Sequence, residues 1–136
     1  MKTNAFEVAS RYVYPALRRR LVKHLRKRGL KQTEIAELLH ITQSAVSRYL
    51  REERGRLIDV SSFQDIDLEV GKLAERIIAE RPGEYEIHTE LVRLSLEFLG
   101  KGYGCSFHAE IDPELDPKKC RVCIELFGES QSKSRS

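Results

Sequence analysis

The segment Gln32–Leu50, QTEIAELLHITQSAVSRYL, leaves the chain fewer choices than any other stretch. Apolar residues recur at Ile35, Ala36, Leu38 and Leu39, and after His40 again at Ile41, Val46 and Leu50, which is the spacing of two short helices. The first runs from Gln32 or Thr33 to His40. The second runs from Gln43 to about Arg51, with the Thr42 hydroxyl placed to cap it. Helices this short, joined by so brief a turn, must cross steeply. Ala36 is small where they approach, and Ile35, Leu39, Ile41, Val46 and Leu50 are apolar where both pack on a preceding helix. That helix is predicted over Pro15–Arg28: Pro15 suits a first turn, Leu17, Leu21 and Leu25 repeat on one face, and Gly29 supplies the stop.

The outward side of the second short helix carries Gln43, Ser44, Ser47 and Arg48. Glutamine pairs bidentately with adenine, arginine does so with guanine, and serine donates or accepts, so these four form a direct-readout set for the DNA major groove. Charge is distributed to match. The net charge of +3 divides into +8 for residues 1–60 and −5 for residues 61–136, which places any polyanion-facing surface in the N-terminal part. Much of that charge lies on the first helix, at Arg18, Arg19, Arg20, Lys23, Arg26, Lys27 and Arg28. There it serves either as phosphate contacts or as the solvated face of an ordinary helical bundle.

With those residues in place, the stretch 15–54 resembles the helix-turn-helix of bacterial and archaeal transcription regulators, and TQSAVSRYL is especially similar to their recognition helices. The resemblance implies double-stranded DNA as partner, with Thr33, Gln43, Ser44, Ser47, Arg48, Arg18, Arg19 and Lys23 as contacts. One departure is His40, where such families usually carry glycine in the turn. Histidine tolerates the left-handed backbone better than most side chains. A single motif of this kind touches few bases, so a homodimer reading two half-sites is expected.

Beyond a connector at Glu53–Gln64, helical spacing resumes over residues 65–80, with Ile66, Val70, Leu73, Ala74, Ile77 and Ile78 on one side, until Arg81-Pro82-Gly83 breaks it. A fifth helix is predicted from Glu84 to Leu99, burying Ile87, Leu91, Leu94, Leu96 and Phe98 and closed by Gly100, Gly102 and Gly104. These two stripes either pair subunits or pack on each other and on the first helix within one chain.

Residues 105–128 lack the regular apolar positions of a core, and all three cysteines of the chain fall there. Cys105, His108, Cys120 and Cys123 form the pattern C-x2-H-x11-C-x2-C, two knuckles that suit a closed tetrahedral site. A structural zinc ion would supply the folding free energy that the segment lacks. An iron–sulfur cluster would make it a sensor. The remaining reading has Cys105 and Cys123 as small buried apolar residues and His108 as a satisfied polar one. A CxxC redox enzyme is disfavoured, because Cys120-Arg121-Val122-Cys123 lacks the strand-then-helix setting that activates a thiolate.

The order of these parts resembles a family of small predicted archaeal transcriptional regulators. The expected fold is all-α: an N-terminal tri-helical helix-turn-helix unit (1–56), two further helices (57–104), a small Cys/His metal knuckle (105–128) and a polar, disordered tail (129–136). No phosphate-loop, nucleophile-elbow or HExxH pattern occurs, which disfavours an enzyme. The absence of a long apolar run or leader predicts a cytoplasmic protein with no membrane partner.

Overall fold

Asn4 starts the first helix through a reciprocal cap, with the Glu7 N–H donating to Asn4 Oδ1 at 3.1 Å and the Asn4 N–H donating to Glu7 Oε1 at 3.3 Å. The helical run continues from α1 (Ala5–Val8) through a π turn (Ala9–Val13) into α2 (Tyr14–Lys27). A computed structural model provides this view; it describes residues 1–51 and 57–128, among which there is no strand. The helix therefore starts well before Pro15, where the sequence places it. Pro15 has no N–H for the Arg11 carbonyl and its ring crowds that carbonyl, and the wider π turn just before it absorbs the misfit.

Leu17, Leu21 and Leu25 of α2 are completely buried, and Gly29, at φ +90°, ends the helix as predicted. The pair α3 (Gln32–Leu39) and α4 (Gln43–Leu50) packs on α2 through Ile35, Leu39, Val46 and Tyr49. Thr42 Oγ1 accepts the Ala45 N–H at 3.1 Å, which is the predicted cap. His40 takes the left-handed conformation (φ 59°, ψ 37°). It is held there from outside the motif, because its Nε2–H donates to the Pro82 carbonyl at 3.3 Å.

After a 3-10 turn at Val60–Ser62, α5 (Gln64–Glu80) and α6 (Glu84–Gly100) form an antiparallel pair that packs on α2. Their apolar stripes are thus used within the chain, joining α1–α4 in one apolar cluster that runs from Val8 to Leu99. Ile78 and Leu96 were expected in those stripes but are both 37% exposed. A step of one residue turns a helix by about 100°, which carries Ile78 away from buried Ile77; two residues, about 200°, separate Leu96 from Leu94 and from Phe98. Where α2 meets α5, Asp67 accepts Arg20 Nε at 2.6 Å, Arg20 Nη2 at 3.1 Å and His24 Nε2 at 2.8 Å. Gly71 permits the approach, since a Cβ there would come within 3.3 Å of the His24 ring.

The C-terminal segment forms two short helices, α7 (Cys105–Ile111) and α8 (Val122–Phe127), and α8 buries none of its own residues. Its anchors come from elsewhere. Gly100 has no Cβ, so the Phe127 backbone carbonyl can lie directly on the end of α6. Tyr103 lies tilted against Phe63 and meets Phe98 edge-on, and Phe107 meets Tyr12 edge-on at 4.9 Å. Fully buried Asp112 accepts the N–H groups of Lys2 (2.6 Å), Thr3 (3.0 Å) and Glu114 (3.2 Å). The expected disordered tail at 129–136 lies outside the described residues.

Candidate nucleic-acid interface

The Thr42 cap and the buried Val46 and Tyr49 fix how α4 is rotated on α2. Gln43, Ser44 and Arg48 are thereby exposed and Ser47 is half-buried. These four line one polar groove together with Gln32 and Arg51. The predicted readout set thus converges on one surface. An eight-residue helix is about 12 Å long, comparable with the width of the B-DNA major groove. Gln32 and Arg51 are additions that outward-facing periodicity on α4 does not reveal. Gln32 opens α3 and reaches the groove across the turn, while Arg51 is the residue that ends α4. Thr33 is exposed in the first turn of α3 but does not line the groove.

The basic face of α2 is divided among several tasks. Arg20 is committed to Asp67, and Arg28 donates to Glu75 at 3.2 Å and to the His24 carbonyl at 3.0 Å. Arg26 donates to the Leu30 carbonyl at 2.9 Å, bridging the turn into α3. The reading of this whole run as phosphate contacts therefore needs correcting for Arg20, which has become a partly buried strut between helices. Arg18 lies over the Tyr14 ring at 5.8 Å and lines a separate cavity with Leu39, Tyr85 and His88. Arg19 and Lys23 are half-buried on α2 and do not line the α4 groove.

At the other end of the molecule, Cys105, His108, Cys120 and Cys123 all line one small cavity of about 20 Å3, closed by Ala5, Val8, Leu99 and Ile124. The cysteines are free thiols. Burial pushes Cys105 up, with Cys120 adding to it. Burial likewise pushes Cys123 up to about 11, helped by the nearby Cys105 and Cys120. Cys105 and Cys123 are therefore protonated at neutral pH, the opposite of an activated nucleophile. His108 Nε2 lies 2.5 Å from the Thr3 carbonyl, which can only accept, so the ring carries its proton on Nε2 when neutral. Among the described residues, no group of three or more His, Cys, Asp or Glu side chains is placed to hold a metal ion. No described helix is long and apolar enough to cross a membrane.

A chain whose described residues form no strand, and whose two short crossed helices present a polar groove over a buried scaffold helix, contains a helix-turn-helix unit. In agreement, a family model described as "Helix-turn-helix" matches residues 22–62. The match takes in α3, the turn and α4, and supports a transcription regulator of the helix-turn-helix type that binds DNA. No curated protein and no solved structure matches the chain.

Proposed function

We propose that the chain is a sequence-specific transcription regulator that reads the major groove with α4. The convergence of Gln43, Ser44, Ser47 and Arg48 on one groove carries this reading, because no packing demand within the chain requires four polar side chains there. In this role Gln43 and Arg48 contact base edges and the serines adjust to them, while positive charge around α2 and α3 supplies phosphate contacts. We further propose that it acts as a homodimer on two half-sites, in the cytoplasm or nucleoid, without a catalytic step, in the manner of the small archaeal regulators it resembles. The C-terminal Cys/His segment belongs to this reading as a metal site, structural or sensory.

The test is binding to a DNA site selected from a random pool. Arg48→Ala and Gln43→Ala are each expected to weaken that site by about 1–3 kcal/mol, roughly 5- to 150-fold, while affinity for unrelated DNA changes little. Unchanged affinity for the selected site in both variants overturns the assignment of α4. Failure to select any site, with weak binding to all nucleic acids, points instead to an interaction or assembly module that uses the fold for protein or RNA contacts.

A further inference from the structure

The cysteine cavity and the N-terminal segment are built as one unit. Ala5 and Val8 of α1 form part of the wall that faces Cys105, His108, Cys120 and Cys123. His108 donates from Nε2 to the Thr3 carbonyl, and Asp112, one turn further on, accepts from the N–H groups of Lys2 and Thr3. Holding the His108 proton on Nε2 leaves Nδ1 as the ring's lone-pair nitrogen. A carbonyl that accepts from one ring nitrogen and so fixes the imidazole is the usual accompaniment of a histidine metal ligand. Three sulfurs and one imidazole nitrogen are the donor set of a borderline-soft, tetrahedral cation. The cavity, at about 20 Å3, holds one atom-sized species, since a single water needs about 10–15 Å3 by the same measure.

We propose that Cys105, His108 through Nδ1, Cys120 and Cys123 bind one divalent zinc-like cation, and that its occupancy latches residues 1–8 onto α7. The four groups line one cavity but are not placed to hold an ion as they stand, so binding requires them to move inward. It releases the thiol protons to solvent and forms three sulfur–metal bonds and one nitrogen–metal bond. The His108 ring then has both nitrogens engaged, one on the ion and one on Thr3, so the arm is held by a ligand that can no longer rotate. α1 runs through the π turn into α2, and α2 is the helix on which α3 and α4 pack. The ion thus acts on the scaffold of the DNA-binding unit. This regulatory part rests on the DNA-binding reading above; the site and the latch do not.

The experiment uses the full chain, stripped with a chelator under reducing conditions and then titrated with zinc alone. One zinc per chain is expected, with loss of free-thiol reactivity, and no stoichiometric zinc in Cys120→Ser or Cys123→Ala. On stripping, hydrogen-exchange protection of the Lys2 and Thr3 amides is expected to fall by about tenfold or more, while that of Ile35 and Val46 is kept. Asp112→Asn is expected to bind zinc with weaker protection of Lys2 and Thr3 than wild type, and zinc is still expected to raise what remains. A folded chain that takes up no zinc overturns the site, as does an anaerobic preparation that carries stoichiometric iron and sulfide. Zinc binding with unchanged protection of Lys2 and Thr3 overturns the latch. Neither readout involves DNA, so both remain decisive even if α4 reads no sequence. With the DNA-binding reading intact, stripping is further expected to change affinity for the selected site by about tenfold, the size typical of coupling between two sites.

Discussion

Asp67 shows how a single carboxylate fixes the position of α2. Burial alone would push it up, but the hydrogen bonds and charges of Arg20 and His24 outweigh that and hold Asp67 below the usual carboxylate range. A lowered value means that the folded state favours the ionised form. Its contribution is complete above the unfolded value, near 4, and is lost as pH falls through the lower folded one. Asp67→Asn should therefore cost about 1–3 kcal/mol at pH 7 in urea unfolding, with the gap from wild type closing as pH falls through the lowered folded value. A gap independent of pH would mean that the carboxylate charge is not what matters. At this scale the readout residues of α4 were legible, because a fixed rotation about Val46 leaves Gln43, Ser44, Ser47 and Arg48 on the far side. Arg20 was not, since its role depends on Asp67, forty-seven positions away, and periodicity carries no information about that pairing. His40 lies between these cases. Its left-handed backbone was readable from the turn, whereas its bond to the Pro82 carbonyl exists only once α5 and α6 have folded back.

Helices α2 to α6 follow closely from apolar spacing and from the stops at Gly29 and Pro82, because each buries a continuous stripe. The run from Ala5 to Val13 was missed since Pro15 is an equally good first-turn residue, although the Asn4 and Glu7 cap was a local start signal that sequence reasoning could have used. The small helices α7 and α8 had no periodic signal at all, as their anchors lie on α6, on Tyr12 and in the N-terminal segment. The end of α6 offers a direct test of how α8 is held. A Cβ at Gly100 would strike the Phe127 carbonyl, which is backbone and cannot swing aside. Gly100→Ala should destabilise the docking of α8 by about 1–3 kcal/mol, as overpacking does. The expected signature is faster hydrogen exchange in Val122–Phe127 with α3 and α4 unaffected. Equal loosening of all helices would place Gly100 in the common core instead.

Taken whole, the chain divides its charge along the sequence, with +8 on residues 1–60 and −5 on residues 61–136. DNA affinity should then fall steeply with salt, log K changing by about 0.9 per decade of salt for each phosphate neutralised. Lys23→Ala is expected to reduce that slope by about one if it meets a phosphate, whereas Arg48→Ala should lower affinity for the selected site with the slope little changed. Titrations from low to moderate salt measure both. A Lys23→Ala slope equal to wild type would remove α2 from the footprint and leave its basic residues to interhelical work of the kind Arg20 performs.

The hydrogen bonds that hold Thr3 to His108 and Asp112 join positions more than one hundred residues apart. A ribosome adds roughly 5–20 residues per second, so the first residues wait about 5–20 s for their partners to be synthesised. During that interval α2, α3 and α4 are already complete and have only local contacts to make, which form far faster than the delay. The packed α2, α3 and α4 of each new copy therefore exist for seconds before the partners of Thr3 at His108 and Asp112 have been made.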